Sequence, residues 1–188
     1  MGDMQSVLDR ALAQSLKACG TELGNIQIMN WQAGCLEIKT QRGFHDEFLN
    51  FFERVNFGDN SACARALRSR RPVTIEDITL DPEFHPCCAV LQRAGVRAVQ
   101  STPLVSRRGA FVGVLSTHFP VSHRPTEVQM RTVAEVAQSV ADAMIRFRAD
   151  VDAHVSGAIL NSLKSLDEAR AAIGRAEVVL TRGRQLFA

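Results

Sequence analysis

Tyrosine is absent from this 188-residue chain, tryptophan occurs once, and lysine stands only at positions 17, 39 and 164. Without aromatic residues interleaved among basic ones, the stacking platform of a single-strand nucleic-acid binder is missing. Basic and acidic residues nearly cancel, 22 against 20 for a net charge of +2, which is too mild for a nucleic-acid partner. No apolar run approaches the roughly 18 residues of a membrane span, so no membrane partner is expected. The opening Met1-Gly2-Asp3-Met4-Gln5 has neither the basic flank nor the apolar stretch of a secretory leader, and a cytoplasmic location is expected. The five cysteines, at 19, 35, 63, 87 and 88, are odd in number and irregular in spacing. A disulfide framework is therefore excluded in favour of reduced thiols.

What remains is the composition of one globular domain with about forty residues to spare. Apolar residues recur at three- and four-residue spacing from Val7 to Cys19, predicting a helix that Gly20 stops. Gly24–Trp31 and Cys35–Thr40 alternate as strands, and Ala33-Gly34 between them reads as a hairpin turn. A phenylalanine-rich helix is expected over Phe44–Val55, then a short helix to about Ser69 capped by Asp59 or Ser61. Pro72–Ile75 reads as a short edge strand, Asp81–Pro86 as a loop, and Cys87–Ala94 as a short helix closed by Gly95. Val96–Val105 and Ala110–Phe119 form a second hairpin. Thr126 and Gln129 have capping-box spacing at the start of the last helix. The interleaving predicts an α+β fold with a mainly antiparallel sheet.

Two further stretches have their own character. Arg65, Arg68, Arg70 and Arg71 read as a solvated helix face, with an anion or partner contact as the other reading. Beyond residue 150, Val155, Ile159, Leu163, Leu166, Ile173 and Leu180 mark a helical stripe with a weak heptad repeat. Gly157 and Gly174 weigh against one unbroken rod. Such a stripe is expected to pack on the first helix or on a second copy of the chain.

Residues 24–27, 41–44 and Ser61-Ala62-Cys63-Ala64-Arg65-Ala66-Leu67 resemble the first half of a GAF domain. Val73-Thr74-Ile75-Glu76-Asp77-Ile78-Thr79-Leu80-Asp81-Pro82 is similar to its middle, and residues 95–105 and 113–119 to its last two strands. The likeness covers roughly residues 8–150, and the chain closely resembles the GAF type found beside bacterial sensor kinases. It implies a central six-stranded antiparallel sheet with helices on both faces, divided as an N-terminal helix (1–22), the GAF domain (23–150) and a C-terminal helical extension (151–188). It also implies a sensory or regulatory module that holds a small-molecule ligand and signals through its terminal helices, as a homodimer or to a partner such as a sensor kinase. The cofactor, if any, is left unknown. A ligand-free dimerisation scaffold is the second reading.

The expected ligand-binding residues are Ser61, Cys63, Asp77, Phe84, Leu91, Gln100, Thr102 and Thr117. On the strand from Val96, alternation places Gln100 and Thr102 on one side and Ser101 on the other. A buried Gln100 needs a partner, whether ligand, backbone or water. Asp77 either reaches the ligand or caps the turn after its strand. Thr117 and His118 face opposite ways, and His118 is either a ligand contact or a structural histidine. No catalytic residue is assigned and no metal site is expected. His85, Cys87 and Cys88 are the candidates for a haem, iron–sulfur or redox sensor, although no metal-ligand spacing is present. A thiol enzyme of the free methionine sulfoxide reductase type is a further alternative, and it needs a low-pKa thiol. A bilin chromophore is disfavoured because Ala89, not histidine, follows Cys88.

Overall fold

In the computed structural model, which describes residues 4–186 (except the side chains of His85, Pro86 and 175–186), the chain divides into two units at Ile145. The first contains a six-stranded sheet, all of whose pairings are antiparallel, in the order β3-β2-β1-β6-β5-β4. Its strands are β1 (Leu23–Asn30), β2 (Cys35–Arg42), β3 (Arg54–Asn56), β4 (Val73–Ile75), β5 (Ala98–Val105) and β6 (Phe111–Phe119). The helices are α1 (Met4–Cys19), α2 (Asp46–Phe51), α3 (Ala62–Ser69), α4 (His85–Arg93) and α5 (Glu127–Leu186).

The sheet separates two apolar layers, because alternate residues of each strand face opposite ways. On one face, Leu8, Leu12 and Leu16 of α1 and Val133, Ala137 and Val140 of α5 bury Ile26, Ala98, Leu104 and Leu115. On the other, α2, α3 and α4 cover Leu36, Val99 and Val114. Pro103 is tolerated in β5 because β4 pairs only with residues 99–101, so its missing N–H faces no neighbouring strand.

The turn and cap signals work as expected at both ends of the domain. Gly20 (φ 66°) ends α1 and Gly34 (φ 71°) closes the first hairpin. At α5 the Thr126 hydroxyl accepts from the Gln129 N–H at 3.2 Å, and the Gln129 side chain accepts from the Thr126 N–H at 2.9 Å.

The helix expected over Phe44–Val55 is shorter. It ends at Phe51, and Val55 pairs with Leu36 as part of β3. The phenylalanines still pack together: the Phe44 and Phe48 rings stack 3.6 Å apart and Phe48 meets Phe52 at 4.7 Å. Three of the four clustered arginines have protein partners, while Arg70 and Arg71 remain exposed. Arg65 forks onto Asp81 at 2.7 and 3.0 Å, Arg68 donates to the Phe57 carbonyl, and Arg70 lies 3.7 Å over the Phe111 ring.

The second unit is the continuation of α5 from Arg146, in which neither Gly157 nor Gly174 interrupts the helix. Val151, Val155, Ile159, Leu163, Leu166 and Ile173 are exposed along it. The Leu180 side chain lies outside the described residues. No described helix is long and apolar enough to cross a membrane.

Candidate functional site

Three central strands place polar side chains under the α2–α4 layer, where an apolar core would be expected. Asn25 and Gln27 come from β1, Ser101 from β5, and Ser116 and His118 from β6. The register sets Asn25 opposite Ser116 and Ser116 opposite Ser101, a polar row across the sheet. The two serine hydroxyls bond at 2.7 Å. Phe48, Phe52, Ser61, Ala62, Cys63, Phe84 and Leu91 roof this row and leave a chamber of about 20 Å³. That is room for one water.

Within the chamber, Ser61 is the N-cap of α3, accepting from the Ala64 N–H at 3.3 Å, with the Cys63 thiol 3.1 Å from its hydroxyl. Ser61→Ala is expected to lower stability by about 1 kcal/mol through loss of this cap, read as a fall in the urea midpoint. His118 stands edge-on to the Phe44 and Phe48 rings, at 4.9 and 5.7 Å. Burial pushes its pKa down to about 3, so the imidazole is neutral at neutral pH. Its Nδ1, the Asn25 Oδ1 and both ends of the Gln27 amide have no hydrogen-bond partner. An unmet buried polar group costs about 1–3 kcal/mol, so this set is expensive unless something fills the chamber.

Next to it lies a surface cleft of about 410 Å³, lined by Phe51, Phe52, Arg54, Val55, Asp59, Cys87 and others. Phe52 and Ser61 border both spaces. Phe52 and Ser61 therefore stand between the cleft and the polar chamber.

Of the residues expected at a ligand site, Ser61, Cys63, Phe84 and Leu91 come together in the chamber wall. Gln100, Thr102 and Thr117 do not. They share a face with Ala98, Leu104 and Leu115, under α1 and α5, so the sheet separates them from the chamber. There Gln100 donates to Thr102 at 3.5 Å while its Oε1 lacks a partner, and the Thr117 side chain lies against the Cys19 thiol. Alternation puts Gln100 and Thr102 on one face and Thr117 opposite His118, and it carries no information about which face meets the pocket. Asp77 is also elsewhere. It accepts from the Thr79 N–H and hydroxyl and pairs with Arg97 at 2.7 Å, which holds its carboxyl well below the usual range. It is the turn cap.

Asn25, Gln27, Phe48, Phe52, Ser101 and Ser116 line the chamber without belonging to the expected set. Asn25 and Gln27 carried a signal, since two amides on one side of a central strand are unusual where both faces are covered.

All five cysteines are unbonded. Burial raises the Cys63 thiol, and burial with Cys63 nearby pushes Cys87 up to about 11. Both are held as thiols rather than reactive thiolates. Cys88 is half-buried, its thiol 3.8 Å from the Ile78 carbonyl, and the His85 side chain is outside the described residues. Among the described residues no group of three or more His, Cys, Asp or Glu side chains is placed to hold a metal ion.

The GAF domain family profile matches residues 2–144. Among solved structures, a domain of a putative two-component sensor histidine kinase from Sinorhizobium meliloti superimposes with a TM-score of 0.66 at 16% identity, covering 82% of this chain and 99% of that one. The GAF domain of a phosphoenolpyruvate-protein phosphotransferase from Coxiella burnetii gives 0.67 at 16% identity, over 81% and 88% of the two chains. Free methionine-R-sulfoxide reductase from Neisseria meningitidis, solved with its substrate, gives 0.62 at 20% identity, over 80% and 81%. No curated protein matches the chain.

Proposed function

The chain belongs to the GAF domain family, a family of sensory and regulatory modules, and we propose on that premise that its chamber binds a small molecule and biases the packing of its terminal helices. The observation that carries this reading is the set of unpartnered polar atoms on Asn25, Gln27 and His118, three residues that line one small chamber. A ligand that meets them favours the conformation that holds it, by as much as its affinities for the two conformations differ. β5 and β6 link the chamber to the helices, since their opposite face packs on α1 and α5. The exposed stripe from Val151 to Ile173 supplies the contact for a homodimer, and a sensor kinase is the kind of partner the sensor-kinase likeness favours.

Enzymatic turnover of the sulfoxide reductase type fits less well, because Cys63 and Cys87 lack the lowered pKa that thiol chemistry uses. A ligand-free dimerisation scaffold is the second reading, favoured by the small chamber volume of about 20 Å³. Native mass spectrometry of protein purified from its own host separates the two. The sensory reading expects a dimer that releases a small molecule on denaturation. A dimer at the bare chain mass supports the scaffold.

A further inference from the structure

We propose that the chamber receives the uncharged amide edge of a small molecule, a carboxamide or lactam presenting its carbonyl oxygen and N–H side by side, while the body of that molecule occupies the outer cleft. This rests on the chamber being a ligand site, and it names the chemistry that site selects.

Charge is the first discriminator. Among the described residues no Asp, Glu, Lys or Arg lines the chamber. An ion taken from water into such a space without a countercharge loses far more than a neutral group does. The charged side chains nearby are Arg54 and Asp59, which border the outer cleft, and Arg65, which lies 5.7 Å from the Phe84 ring centre and is paired with Asp81.

Hydrogen-bond sense is the second. Asn25 Oδ1 and one end of the Gln27 amide call for donors, the other end of Gln27 calls for an acceptor, and the neutral His118 Nδ1 takes either sense according to tautomer. Since both ends of the Gln27 amide are unpartnered, exchanging its oxygen and nitrogen leaves the demand the same. A carboxylate offers acceptors alone and an ammonium donors alone, so each leaves part of this set unmet. A ketone fails as a carboxylate does. An amide edge supplies both senses in one plane, which is also the form of the Gln27 side chain it faces.

Reach is the third. His118 pairs with Leu23 and Gln27 with Val114, so their backbones stand four residues apart along the sheet, about 13 Å. A single water joins partners about 5–6 Å apart at most. Neither one water nor one amide edge spans that distance, so the edge answers Asn25 and Gln27, neighbours on one face of β1, and another group of the same molecule answers His118. A larger occupant has to displace Phe52, the side chain between chamber and cleft.

The test uses three probes of equal size: acetamide, acetate and acetone. Each is titrated into the full-length protein while the side-chain amide resonances of Asn25 and Gln27 and the ring resonances of His118 are followed by NMR. Acetamide is expected to shift the Asn25 and Gln27 resonances saturably, at least tenfold more tightly than acetate or acetone, and Gln27→Met is expected to abolish that preference. A Gln27→Met protein that keeps its backbone spectrum and still prefers acetamide overturns the proposal. So does wild-type protein that binds acetate or acetone as tightly as acetamide, although the chamber then stands as a ligand site of another class. If no probe shifts these resonances in the wild type or in Phe52→Ala, where that side chain is cut back, the ligand-site reading fails together with the proposal.

Discussion

Gly113→Ala is expected to destabilise the protein by about 3 kcal/mol or more. Gly113 lies in β6 opposite Ile28 of β1, and a Cβ there would run into the Gln27 carbonyl oxygen, with the Ile28 Cα 3.0 Å away. Both atoms belong to the backbone of the neighbouring central strand, so no side chain can rotate to make room. Relief requires β1 and β6 to separate where they hold Gln27 on one strand and Ser116 and His118 on the other. Since a domain's whole stability is about 5–15 kcal/mol, the substitution removes a large part of it. Urea unfolding followed by circular dichroism reads the loss directly. An unchanged midpoint would mean that the two strands are not in this close approach.

The second large effect is a loss of stability in mild acid that traces to His118. An unfolded histidine takes up a proton near pH 6.5, whereas burial holds this one back to about 3. Below pH 6.5 the unfolded chain therefore binds one more proton than the folded chain. Stability falls by about 1.4 kcal/mol for each pH unit, is unaffected above 6.5, and has lost the full contribution by about pH 3. Glu37, Glu47, Asp77 and Asp81 have carboxyls held low by Lys39 or arginine partners, and their losses begin only near their unfolded values of 4.5 and 3.8. The interval from 6.5 to 4.5 thus isolates the histidine, with an expected drop of about 2–3 kcal/mol. His118→Phe preserves a ring against Phe44 and Phe48 and removes the proton site. Urea midpoints across that interval are expected to slope for the wild type and to lose this slope in the variant. Equal slopes would show that His118 is not the group responsible.

These two positions also mark what the sequence made legible. Order and type of nearly every element followed from periodicity and from turn residues whose effect is local, such as Gly20, Gly34 and the Thr126–Gln129 box. The break at Phe51 was not readable, because the helical spacing of the phenylalanines runs straight into Val55, and only the long-range pairing of Val55 with Leu36 ends the helix. At the site, Ser61, Cys63, Phe84 and Leu91 were identified through their likeness to a known fold. The polar strand residues were the harder part. β5 and β6 carry buried polar groups on both faces, Ser101 and His118 on one and Gln100 and Thr117 on the other, so burial and polarity together left the choice of face open. The layer each face meets is decided by where α1 and α5 fold back, which is a property of the whole domain. Asn25 and Gln27 read as the polar side of an alternating strand, and only the roof that α3 and Phe52 place above them makes that side a buried one.

Under the proposed function the polar floor of the chamber is kept for an occupant and weakens the empty fold. Unfolding of ligand-free Gln27→Met, prepared by refolding from denaturant beside wild type treated in the same way, tests it most directly. Methionine keeps the length of the side chain and removes both unpartnered atoms, so the variant is expected to be more stable than wild type by about 1–3 kcal/mol. A variant less stable than wild type by a similar amount would show that Gln27 is a satisfied part of the core, and would contradict the ligand site.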